Sequence, residues 1–113
     1  MQTLNYRFPA QEAASHAVHI GVVASGDLEI LLEPPAAGDP SDSVVVRVRT
    51  SVNGFDTVWH DVLERFFTRT PLAGRWELND FGATPGVVNL RLRQASEAAG
   101  AAATGGASNG LAS

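Results

Sequence analysis

The chain has 113 residues, 44% hydrophobic and 18% charged, with a formal net charge of −4. That size and balance describe one globular domain able to bury a core, and the acidic balance leaves no basic footprint for nucleic acid or an anionic membrane surface. All eight basic residues are arginine and there is no cysteine, which excludes a Schiff-base or P-loop lysine, a thiol nucleophile, a thiolate metal site and a disulfide framework.

The opening Met1-Gln2-Thr3-Leu4-Asn5-Tyr6 has neither a basic nor an apolar leader region, and no apolar run approaches membrane-spanning length. No signal peptide and no membrane partner are expected, and with the missing cysteines a cytoplasmic location follows. Leu4, Tyr6 and Phe8 alternate with Asn5 and Arg7, which predicts a short half-buried strand stopped by Pro9. Residues 11–15 are small and polar and read as a connection. Residues 16–23 predict a second strand, with Val18, Ile20 and Val22 on one face.

The stretch that organises the chain is Gly21-Val22-Val23-Ala24-Ser25-Gly26-Asp27-Leu28-Glu29-Ile30-Leu31-Leu32-Glu33. Two apolar runs flank the small-residue corner Ala24-Ser25-Gly26-Asp27, which must turn at the surface. The short separation predicts a hairpin, with residues 28–33 as the third strand, antiparallel to the second. Pro34-Pro35-Ala36-Ala37-Gly38-Asp39-Pro40 cannot be regular structure and reads as a loop. Over residues 44–50, Val44, Val46 and Val48 alternate with Val45, Arg47 and Arg49, a fourth strand whose arginine face is solvated or faces a partner.

Over residues 53–70 the period changes. Phe55, Trp59, Val62 and Phe66 recur at helical spacing, widened by Val58, Leu63 and Phe67, while Thr57, Asp61, Glu64 and Thr68 lie opposite. Asn53 is the expected N-cap, and Pro71 ends the helix near Arg69. His60/Glu64 and Asp61/Arg65 are i,i+4 pairs, each worth about 0.2–0.5 kcal/mol. Residues 75–81 predict a fifth strand, with Trp76 and Leu78 alternating against Glu77 and Asn79. In Gly82-Ala83-Thr84-Pro85-Gly86, Thr84 is a candidate N-cap and Pro85 the first helical residue. Residues 88–93 alternate as a strand would. The cap, and the absence of a turn residue through Ala98, favour a helix with Val88, Leu92, Ala95 and Ala99 on one face and Leu90 off it. Residues 99–113 are rich in Ala and Gly and uncharged, and predict a disordered tail behind a domain of residues 1–98. The expected fold class is α+β: an antiparallel sheet of about five strands with two helices packed on one side.

Candidate chemistry is sparse. Ser25 lacks the G-x-S-x-G elbow, since Val23 sits two before it, and nothing places His16, His19 or His60 beside it. A turn serine is the plain reading; a small serine hydrolase is a weak one. His16 and His19 point to opposite strand faces, which is poor ligand geometry, and no metal ligand set is assigned. Asp27, Glu29 and Glu33 form either a solvated acidic face or a docking patch for a basic partner. The glycines match no nucleotide-binding pattern.

Three blocks nevertheless resemble one family in the same order: Gly21 through Pro34 as quoted above; Thr50-Ser51-Val52-Asn53-Gly54; and Asp80-Phe81-Gly82-Ala83-Thr84-Pro85-Gly86-Val87-Val88 with Leu90-Arg91-Leu92. They are similar to the acyl carrier (delta) subunits of bacterial malonate decarboxylases and, more distantly, to the citrate lyase acyl carrier subunit. The resemblance implies a non-catalytic carrier of acetyl and malonyl thioesters, unlike the helical-bundle acyl carriers. It implies that Ser25 bears a phosphoribosyl-dephospho-coenzyme A arm through a phosphodiester, with Gly26 and Asp27 beside it. A dedicated holo-carrier synthase would attach the arm, and the acyltransferase and decarboxylase subunits would receive it. The readings left open are a citrate-lyase-like carrier and a non-carrier αβ binding or assembly module in which Ser25 is a turn residue.

Overall fold

The computed structural model describes residues 1–36 and 43–100. The expected tail from residue 101 onward and most of the loop after Pro35 lie outside the described residues. The elements in order are β1 (Gln2–Pro9), β2 (Glu12–Ala13), β3 (Val18–Ile20), β4 (Leu28–Glu33), β5 (Ser43–Thr50), α1 (Asp56–Arg69), β6 (Leu72–Asp80) and α2 (Pro85–Ala98). The strands lie in the order β1-β5-β6-β4-β3, and β2 runs alongside the start of β6. The class is α+β, as the residue pattern predicts.

The sheet differs from the expectation in being mixed. β1–β5, β4–β6 and β3–β4 are antiparallel, whereas β5 and β6 are parallel neighbours and β2 pairs with β6 in parallel. A parallel pair needs a long crossover, and α1 supplies it between β5 and β6. The connection expected at residues 11–15 holds β2, because Gln11 and Ala14 donate backbone bonds to Pro71 and Ala73 and draw the chain along the first residues of β6.

Alternation places one sheet face inward. Leu28, Ile30 and Leu32 of β4, Val44, Val46 and Val48 of β5, and Trp76 and Leu78 of β6 are fully buried, each worth about 1.5–3 kcal/mol. Both helices cover that face. α1 contributes Trp59, Leu63, Phe66 and Phe67, with the Phe67 and Trp76 ring centroids 4.9 Å apart. α2 contributes Val88, Leu92 and Ala95, while Leu90 is 39% exposed, as the helical reading of residues 88–93 requires. Ala99 continues this buried face one residue beyond the domain boundary expected at residue 98.

The opposite face is polar. Arg47 Nη2 donates to Glu77 Oε1 at 2.8 Å and Arg49 lies 3.6 Å from the other Glu77 oxygen. The Arg47 bond holds the Glu77 carboxyl below its usual range. Two helix starts contrast. Thr84 Oγ1 accepts from Val87 N at 3.3 Å and Pro85 opens α2, as expected. Asn53 does not cap α1: Phe55 holds the cap position without a side-chain bond. Asn53 and Gly54 lie in the loop before α1, where Gly54 N donates to Gln2 Oε1 at 3.2 Å.

Candidate functional site

The second strand ends earlier than its alternation predicts. Gly21 adopts φ +80°, and a Cβ there would lie 2.1 Å from the Leu28 carbonyl oxygen. Only glycine brings the backbone this close, and the chain then leaves the ladder. Val22 and Val23, expected within the strand, are 57% and 62% exposed. Ala24 O accepts from Asp27 N at 3.0 Å, closing a β-turn with Ser25 and Gly26 at its centre. Gly26 has φ +82°, the left-handed conformation a type II turn needs at its third position.

The turn is stitched to the end of β6. Gly26 N donates to Phe81 O at 2.7 Å, and Phe81 N donates to Asp27 O at 3.1 Å. Ser25 stands at the outer corner, exposed, and its hydroxyl has no hydrogen-bond partner among the described residues. A Cβ at Gly26 would meet nothing within 4 Å, so the space beside the hydroxyl is open.

Asp27 faces inward rather than toward a docking partner. Its carboxylate accepts from Val22 N at 3.2 Å and Leu28 N at 2.8 Å, joining the two sides of the turn. Arg91 on α2 grips it in bidentate fashion, Nε to Oδ1 at 3.0 Å and Nη2 to Oδ2 at 3.1 Å. The Arg91 bond, followed by that from Leu28 N, holds the Asp27 carboxyl below its usual value near 3.8. Gln94 Oε1 accepts from Arg91 Nη1 at 3.0 Å. Sequence reasoning leaves Arg91 without a partner; the one available signal is its place at the margin of the buried helical face, next to Leu92.

Asp80, which sequence reasoning gives no role of its own, gathers the other loops. It is only 5% exposed. Its Oδ2 accepts from Thr50 Oγ1 at 2.8 Å, and its Oδ1 from Ala83 N at 2.9 Å and Gly82 N at 3.2 Å. Ser51 N donates to its carbonyl at 3.3 Å. Register puts Leu28 and Thr50 on either side of it. The loops after β3, β5 and β6 therefore meet at one end of the sheet. On the far side of the β6–α2 loop, Val52, Phe55 and Val58 line an apolar groove of about 290 Å³ that includes Gly82 and Ala83.

The remaining candidates are occupied elsewhere. Glu29 accepts from Asn79 Nδ2 at 2.9 Å and lies 2.9 Å from His19 Nε2; Glu33 sits 3.7 Å from Arg75. Each carboxylate of the expected acidic patch thus has a partner within the chain. His16 contacts Ser15 and the Ala98 carbonyl, and His60 lies beside Asp61. The imidazole bonds described thus lead away from Ser25.

The chain is an α+β domain with an exposed serine at a braced turn, its hydroxyl without a hydrogen-bond partner among the described residues. Residues 15–99 match the family described as malonate decarboxylase delta subunit (MdcD), and the chain belongs to that family. It is 48% identical to the malonate decarboxylase acyl carrier protein of Stutzerimonas stutzeri over 88% of this chain and 98% of that one. It is 46% identical to the protein of that name from Pseudomonas fluorescens SBW25, with the same coverage. The structure superposes with TM-score 0.81 on a chain of a Pseudomonas malonate decarboxylase hetero-tetramer in complex with malonate, at 44% identity, covering 88% of this chain and 100% of that chain.

Proposed function

We propose that this chain is the acyl carrier subunit of a malonate decarboxylase and that Ser25 is its covalent attachment point. The observation that supports this most directly is the exposed Ser25 hydroxyl, without a hydrogen-bond partner among the described residues, on a turn fixed at both flanks. A hydroxyl destined for a phosphodiester must be reached by another enzyme's active site. Exposure and the open space at Gly26 meet that need.

The group that fits is a phosphoribosyl-dephospho-coenzyme A arm, joined through its phosphate to Ser25 Oγ, with Gly26 leaving room beside it. When bound, the arm supplies the thiol this cysteine-free chain lacks, and acetyl and malonyl groups are held on it as thioesters. The chain itself presents the attachment oxygen and, by tethering, raises the local concentration of the acyl group at the acyltransferase and decarboxylase subunits. A holo-carrier synthase in the cytoplasm is the partner that installs the arm. The names of the relatives favour malonate over citrate chemistry.

Intact mass spectrometry tests the reading. Co-expressed with a competent synthase, the chain is expected to gain the mass of one arm, and Ser25→Ala to gain none. An unchanged wild-type mass under those conditions would leave the assembly-module reading in its place.

A further inference from the structure

We propose that Arg91 is a positioning residue for arm attachment, acting through Asp27 to hold Ser25 in the geometry the transferase requires. The inference rests on the carrier reading above. Residues 22–26 are all exposed and include a glycine at the centre of the turn. Ordering such a segment costs backbone entropy at every residue, and a loop of this kind is ordinarily mobile. Here the freedom is removed from inside.

The Asp27 carboxylate bonds Val22 N before the serine and Leu28 N after it, so one side chain fixes both ends of the turn. Two N–H donors of Arg91 fix that carboxylate in turn. A bidentate guanidinium sets orientation as well as distance. Gln94 fixes the outer edge of the guanidinium, and α2 is anchored by Val88, Leu92 and Ala95. The links run from the core through α2, Arg91 and Asp27 to the serine.

The reaction needs that rigidity. Ser25 Oγ attacks phosphorus of an arm precursor activated as a phosphoanhydride. The Oγ–P bond forms, the anhydride P–O bond breaks with release of a phosphate or polyphosphate leaving group, and the hydroxyl proton passes to a base on the transferase. In-line attack depends on placing the oxygen to within a fraction of an ångström, and small misplacements cost large factors in rate.

The test measures initial rates of mass gain with purified synthase and activated precursor, varying carrier concentration. Arg91→Gln is expected to lower kcat about tenfold, with KM within about twofold of wild type. Arg91→Lys, which keeps the charge and loses the fork, is expected to lie between. Gln94→Ala is expected to show the smallest loss in the same parameter. A change confined to KM overturns the inference, because loss of folded carrier lowers its effective concentration without changing the rate at saturation. Wild-type kcat in Arg91→Gln overturns it as well. Should Arg91→Gln fail to fold, unchanged kcat in both Arg91→Lys and Gln94→Ala has the same force. Absence of mass gain in wild type would instead overturn the carrier reading, so the two failures are separable.

Discussion

The two helices stand in different relations to the Ser25 corner. α1 inserts bulk: it buries Trp59, Leu63, Phe66 and Phe67, the two phenylalanines enter a ring cluster with Phe8 and Trp76, and the helix starts without a side-chain cap. α2 buries the smaller residues Val88, Leu92, Ala95 and Ser96, is capped by Thr84, and extends Arg91 to the turn. Of the two helices, α1 buries the larger side chains, while α2, with its defined start, reaches the turn. Stability and presentation are assigned to different helices, and substitutions should separate them.

The largest effect is expected on the α1 side. Phe67→Ala removes a fully buried ring and should cost about 3–5 kcal/mol in denaturant unfolding, while the folded fraction keeps its attachment kcat. Next comes the base of the turn. Gly21→Ala meets the Leu28 carbonyl and a left-handed backbone together, so about 2–3 kcal/mol is expected. Gly26→Ala meets open space and only the backbone term, about 1–2 kcal/mol. A reversed order in thermal unfolding would contradict the placement of Gly21 under the turn. Thr84→Ala should cost about 1 kcal/mol through the lost cap, whereas Asn53→Ala, at a residue that caps nothing, should leave α1 intact.

The smallest effect is a pH dependence. The folded-state value of Asp27 lies below its ordinary one, so its contribution to stability is present above pH 4, roughly its unfolded value. It is lost as pH falls through the folded value. Acid unfolding of wild type should therefore be steeper below about pH 4 than that of Asp27→Asn. Parallel titration curves for the two proteins would sever Asp27 from the helix-to-turn link.

Much of this was legible in residue patterns where the signal is local. The alternation of residues 28–33 and 44–50 and the Thr84-Pro85 start of α2 need no tertiary information. The end of β3 at Ile20 was not legible, because Val22 continues the alternation and only the approach of Gly21 to Leu28 ends the strand. The parallel pairing of β5 with β6 was hidden because alternation is blind to strand direction. At the site, Ser25 was legible as an exposed corner. Arg91 was not, since it lies 64 residues from Asp27 and a surface arginine is usually solvated. Asp80 joins the loops at Thr50 and Gly82 by side-chain bonds and pairs in register with Leu28, so the three loops meet at one end of the sheet.

The course of α2 bears on how the protein can be handled. Its 14 residues begin at the serine end and carry the chain roughly 20 Å away, to where Ser15 and His16 meet the Ala98 and Ala99 carbonyls. Met1, by contrast, precedes Gln2, which pairs with Thr50 and accepts from Gly54 at the serine end. On the carrier reading proposed above, a fluorophore fused before Met1 is expected to crowd the approach of a transferase more than one attached near His16. Held by the end near His16, the domain leaves the Ser25 turn facing solution.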